Sequence, residues 1–191
     1  MELSSLCQSL TLCDDEDIVE CDLNAEAKSV GEQKVALSLF GKILSTKTIN
    51  RDGIISTLNF IWRTKEPLVM EVVGNNIFVV HFQLMEDRRR ILCGGPWKFQ
   101  DHLIVLEIPV GLGNYRESSF DKVSFWVQIH NLPLMCLNKE AGKSLGSQIG
   151  EVEEVDPGAS GDCLGKYIRV RVKVNIKKPL RRGLRVKMDD G

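Results

Sequence analysis

From residue 35 onward the hydrophobic positions switch between two spacings, and each switch predicts an element. Residues 35–44 form a short apolar run around Leu37, Leu39, Phe40 and Ile43, which reads as a strand. Asn50 is then placed to cap a helix, and Asp52 suits the helix's positive end. Ile54, Ile55, Leu58, Ile61 and Trp62 recur at helical spacing until Pro67 ends the segment. Residues 68–73 and 77–82 are β-rich, and Gly74-Asn75-Asn76 between them suits a hairpin. Residues 84–92 read as a short helix with Arg88, Arg89 and Arg90 exposed, stopped by Gly94-Gly95-Pro96. Residues 103–108 close the series as a strand whose unbroken apolar run predicts burial on both faces.

This order, βαββαβ, is the ferredoxin-like split arrangement, with two helices on one face of a four-stranded sheet. The other face is then expected to be free for a partner, and RNA-recognition motifs stack bases on it. Residues 109–121 read as a plain linker. Their Gly111-Leu112-Gly113 is no dinucleotide fingerprint, because Arg116 stands where a third glycine is needed. Beyond it Val123, Phe125, Val127 and Ile129 alternate with Ser124, Trp126, Gln128 and His130, a strand with one polar face. Asn138 caps a predicted helix with Leu137, Ala141, Leu145 and Ile149 four apart. Gly150 suits its C-terminal cap, and Gly142 and Gly146 mark close packing. Residues 152–155 read as a short strand and 157–161 as a loop.

In the last strand Ile168, Val170, Val172, Val174 and Ile176 share one face. Tyr167, Arg169, Arg171, Lys173, Asn175 and Lys177 share the other. The expected fold class is therefore α+β: an RNA-recognition-motif-like, ferredoxin-like βαββαβ sandwich followed by a βαββ extension. The expected divisions are an acidic flexible arm over 1–30, the βαββαβ unit over 31–109, a linker over 110–122, the extension over 123–178 and a basic tail over 179–191.

Charge sharpens this picture. The net charge of -1 over 191 residues hides two opposed ends. Residues 1–30 carry eight acids and one base, whereas residues 166–191 carry ten bases and two acids. Like charges side by side on one strand repel, and a polyanion lying across them would relieve that repulsion. The bland alternative is a solvated strand face whose Lys and Arg guard an edge against aggregation. The candidate nucleic-acid-binding residues are Lys166, Tyr167, Arg169, Arg171, Lys173, Lys177, Lys178, Arg181 and Arg182. Trp126 joins them as a stacking platform, because it falls on the polar side of its strand. Trp62 and Trp97 read as core anchors.

The six cysteines form no Cys-x-x-Cys pair and lie far from the three histidines, so no metal site and no cofactor is expected. They read as reduced, mostly buried thiols of an intracellular protein, nuclear or cytoplasmic. No apolar run approaches 18 residues, so no membrane span is expected. No P-loop, His-Glu-x-x-His, Gly-x-Ser-x-Gly or EF-hand pattern occurs, and no enzyme activity or small-molecule substrate is expected.

Several short segments together carry a family resemblance. They are Leu39-Phe40-Gly41-Lys42-Ile43-Leu44, Asn59-Phe60-Ile61-Trp62, Gly94-Gly95-Pro96-Trp97-Lys98-Phe99 with His102-Leu103-Ile104-Val105-Leu106, and Phe125-Trp126-Val127-Gln128-Ile129-His130-Asn131-Leu132-Pro133. Ile149-Gly150-Glu151-Val152 and Tyr167-Ile168-Arg169-Val170-Arg171-Val172 with Lys178-Pro179-Leu180 continue the series. In this order the chain resembles a plant domain family of unknown function found in retrotransposon-derived, gag-like proteins, which usually carry a CCHC zinc knuckle after the domain. The resemblance spans about residues 30–187. It implies an RNA-recognition-like α+β fold and a nucleic-acid-associated role, with no catalytic residue. The zinc binding of that family does not carry over, because no knuckle is present in the sequence. The expected function is thus a non-catalytic module for RNA or single-stranded DNA. The alternative is a protein-interaction module that self-associates into a homo-oligomer.

Overall fold

The computed structural model describes residues 21–158, 161, 163 and 165–186. The expectation of an acidic arm lies outside the described residues up to position 20. A helix begins within its last part. Helix α1 (Ala25–Ala36) is capped by the Asn24 side chain, which accepts from the Ala27 amide at 2.8 Å. None of its residues is buried, so it has no apolar face for a period search to find.

The first unit follows the predicted order: β1 (Ser38–Ile43), α2 (Arg51–Trp62), β2 (Val69–Gly74), β3 (Ile77–His81), α3 (Met85–Gly94), β4 (Trp97–Phe99) and β5 (His102–Glu107). The three-residue β4 was not expected. It adds an edge to a five-stranded sheet ordered β2-β3-β1-β5-β4, in which every paired neighbour is antiparallel. The other four strands, ordered β2-β3-β1-β5, have the split βαβ arrangement of ferredoxin-like domains. Asn50 caps α2 by accepting from the Asp52 amide, as its position predicts. Asn75 and Asn76 both adopt positive φ, which a two-residue turn with the twist of the flanking strands requires.

Alternation on the strands then divides the core. Leu39, Ile43, Phe78, Val80 and Ile104 point to the helices and pack with Ile54, Leu58, Trp62 and Ile91. Trp62 is fully buried and meets Trp97 edge-on at 6.2 Å, while Trp97 anchors itself by donating from Nε1 to the Ile91 carbonyl at 2.8 Å. Arg88 was expected on the exposed side of α3. It is half-buried, and its Nε donates to the Ser38 carbonyl at 3.0 Å, tying α3 to β1.

The opposite face of this sheet is closed, which corrects the expectation of a free surface. Phe40, Val79 and Val105 are buried under Phe120 and Val123, with Tyr115, Phe125 and Ile176 around them. The Phe40 and Tyr115 rings meet edge-on at 6.4 Å. Residues 109–121 are therefore a cover rather than a plain linker. Their single turn of 3₁₀ helix (Tyr115–Glu117) is fixed by Asn114, whose side chain accepts from the Arg116 amide at 3.1 Å. The apolar run of β5 is buried on both faces, as its sequence predicts.

The second unit comprises β6 (Lys122–His130), α4 (Lys139–Ser147), β7 (Glu151–Asp156) and β8 (Tyr167–Asn175). Its sheet is ordered β6-β8-β7 and both pairings are antiparallel. β6 and β7 are thus parallel, with β8 inserted between them, so the unit repeats the β1-α2-β2-β3 half of the first. Ile168, Val170, Val172 and Val174 form its core with Val155 and Cys163. Asn138 caps α4 by accepting from the Ala141 amide. The helix ends at Gln148 rather than Gly150.

Gly142 and Gly146 are the close-packing positions their spacing suggests. A methyl group at Gly142 would lie 2.9 Å from Val155 Cγ1 and 3.0 Å from Ile168 Cγ2. Gly142→Val should therefore destabilise by about 1–3 kcal/mol through overpacking, read as a lowered midpoint in urea with an unchanged slope. An unchanged midpoint would show that α4 stands off the sheet.

The cysteines depart from expectation. Of the four described, Cys21 and Cys93 are exposed, Cys136 is half-buried and only Cys163 is buried. Among the described residues no helix is long and apolar enough to cross a membrane.

Candidate nucleic-acid interface

Because α4 covers the apolar side of the second sheet, β8 presents its other side: Tyr167, Arg169, Arg171, Lys173 and Asn175. The register with β6 puts Tyr167 opposite His130, Arg169 opposite Gln128, Arg171 opposite Trp126 and Lys173 opposite Ser124. The predicted ladder and the predicted aromatic thus share one surface. Arg169 lies over the Trp126 ring with its guanidinium carbon 4.5 Å from the centroid, and Arg171 lies 5.8 Å from it. The His130 and Tyr167 rings pack 5.0 Å apart at the end of the strip.

What sequence reasoning missed is the other neighbour. β7 brings Glu151 opposite Lys173, Glu154 opposite Arg171 and Asp156 opposite Arg169. A bulge between Val152 and Glu154 adds Glu153 to the same stretch. Glu153 accepts from Arg171 Nε at 3.0 Å and from the Ser124 hydroxyl at 2.9 Å. The Arg171 side chain is only 8% exposed. It is a locked internal cation, which corrects the picture of three equivalent phosphate contacts along the strand. Arg169 keeps 44% of its side chain exposed and reaches Asp156 only at 3.7 Å. The acidic run at 151–156 was legible, but nothing in it says which strand it will face.

Outside β8, on either side of it in the chain, the cations are less engaged. Lys177 pairs with Asp121 at 2.6 Å and keeps 69% of its side chain exposed. Lys166, Lys178, Arg181, Arg182 and Arg185 are exposed and make no ion pair among the described residues. Between the polar face of the second sheet and the β4–β5 end of the first unit lies a cleft of about 740 Å³. Trp126, Arg171, Lys173 and Glu154 line one side, and Pro96, Trp97 and Leu106 the other. Among the described residues no three His, Cys, Asp or Glu side chains gather as a metal site.

Residues 31–108 match the family model described as domain of unknown function DUF4283. The matched segment covers the second half of α1 and the whole first sheet, and it ends before the cover at 109–121 and the second unit. The chain is similar to a crystal structure of the three N-terminal RNA-binding domains of the yeast splicing factor Prp24. The identity is 12% and the TM-score 0.31, and the alignment covers 75% of this chain and 58% of that one. No curated protein matches in sequence.

Proposed function

We propose that this chain is a non-catalytic module that binds single-stranded nucleic acid through its phosphates. One observation carries the reading. Residues 166–186 hold nine cations and no acid, and among the described residues only Arg169, Arg171 and Lys177 of these nine are ion-paired. Lys166 and Arg169 mark one end of a basic strip. Lys173, with no ion pair among the described residues, lies along β8, and Lys177, Lys178, Arg181, Arg182 and Arg185 extend the strip beyond it. Tyr167 and Trp126 supply ring surface beside it, on which bases of any identity can stack. Arg171 holds the ring of Trp126 in place and adds to the field without being a contact. The closed face of the first sheet takes no part, so the module would not work as an RNA-recognition motif does. The resemblance carried by Gly94-Gly95-Pro96-Trp97 and by residues 125–133 adds a plant, retrotransposon gag-like origin to this proposal, and with it a nuclear or cytoplasmic setting.

Fluorescence anisotropy with a labelled decauridylate at 50 and 200 mM salt tests this. Each phosphate contact releases counterion from a single strand with a slope of about 0.7 in log affinity against log salt. Four contacts should weaken binding about 50-fold between the two salts. Salt-independent binding, or none, would leave the basic strip as solvated charge.

A further inference from the structure

We infer that the cleft beside β6 is a base-reading subsite that takes a guanine of the bound strand; the inference rests on the phosphate-binding reading above. Three features of the cleft converge on this. Trp126 lines it together with Arg171, whereas Arg169, which lies closer over the same ring, does not, so part of the indole borders the cleft where a base would stack. Glu154 also lines it, and its carboxylate makes no hydrogen bond or ion pair among the described residues, unlike Glu153, whose two oxygens are both engaged. Trp126 and Glu154 both stand opposite Arg171, one on each flanking strand. They are therefore two strand spacings apart, about 10 Å, a gap that a purine can bridge with its six-membered ring toward the carboxylate.

The donor pattern selects the base. A carboxylate only accepts, and it accepts best from two parallel donors. Guanine is the only common base with two adjacent donors on its pairing edge, N1–H and the 2-amino group. Adenine and cytosine put a ring nitrogen acceptor beside their amino group, and uracil flanks its one N–H with two carbonyls. Lys122 and Lys173 also line the cleft, both on the side of the Trp126–Arg171 pair toward the start of β6, where they would take a neighbouring phosphate. The volume, about 740 Å³, is within the range of sites that hold a nucleotide-sized ligand.

The test compares labelled decauridylate with decamers carrying one central guanosine, inosine, adenosine or cytidine, by anisotropy on the full chain. The guanosine decamer should bind about tenfold tighter than decauridylate. Inosine, which lacks the 2-amino group, should lose most of that gain, and adenosine and cytidine should show none. Glu154 is exposed, so Glu154→Gln should fold normally; it should abolish the guanosine preference and leave the salt slope for decauridylate unchanged. Trp126→Ala should weaken all five oligonucleotides. Equal affinity for guanosine and uridine decamers, or a preference that survives Glu154→Gln, would overturn the subsite while leaving phosphate binding intact. Loss of all oligonucleotide binding in the parent protein would overturn both.

Discussion

Replacing Lys178, Arg181, Arg182 and Arg185 together by Gln should flatten the salt dependence of single-strand binding by up to about 2.8 in log–log slope. These four lie outside every strand, are exposed and hold no partner among the described residues, so the fold should be indifferent to the change. Thermal melting should give the parent's midpoint, because surface substitutions away from packed features stay within about 0.5 kcal/mol. The contrast is with Arg171→Gln. That change leaves the Glu153 carboxylate without its cation and should lower stability more than affinity, since the guanidinium is buried and already paired. Anisotropy and melting on both variants separate the roles. A quadruple variant with the parent's affinity and slope would move the interface away from this segment and return the assembly alternative to the front.

Phe120→Ala should destabilise the protein by about 3–5 kcal/mol, the usual cost of deleting a buried aromatic ring. In a chain of this size that is a fall of roughly 6–20 °C in melting temperature. Phe120 is 4% exposed and lies over the first sheet, where it packs with Phe40, Val79 and Val105. It does so from a positive φ of 50°, a conformation that a bulky residue adopts only when its surroundings hold it there. The DUF4283 segment stops at residue 108, so the side chains that close its sheet come from outside the matched region. A Phe120→Ala loss below about 1 kcal/mol would show instead that the first unit is self-sufficient.

The elements themselves were written locally. Asn50 and Asn138 cap the helices they precede, Asn75-Asn76 turns the β2–β3 hairpin, and the alternation from Val123 to Ile129 and from Ile168 to Val174 puts the expected side chains inward. These signals are properties of a few consecutive residues, a cap, a turn or a period of two, so a single sequence shows them. Even the closed sheet left a trace: Leu103-Ile104-Val105-Leu106 is apolar on both faces of β5, which an open sheet would not need. Helix α1 and strand β4 left little trace, the first because it buries nothing and the second because three residues make no period.

The site was half legible for the same reason. That Arg169, Arg171 and Lys173 share a face with Tyr167 follows from strand geometry alone, and so does the placing of Trp126 with Gln128 and His130. Which strands would lie on either side of them does not. Strand pairing joins residues far apart in sequence: β6 brought Trp126 against Arg169 and Arg171, and β7 brought Glu153 against Arg171 and Asp156 toward Arg169. A basic ladder and an acidic run were each readable in the chain, but whether they repel partners separately or neutralise each other depends on register. The sequence by itself determined the strands, the helices and the sign of each patch. The tertiary structure alone decided that one sheet face is closed by Phe120, that Arg171 is spent internally, and that most cations without an ion pair among the described residues of 166–186 lie beyond the last strand, because each of those facts rests on contacts between segments that no local pattern connects.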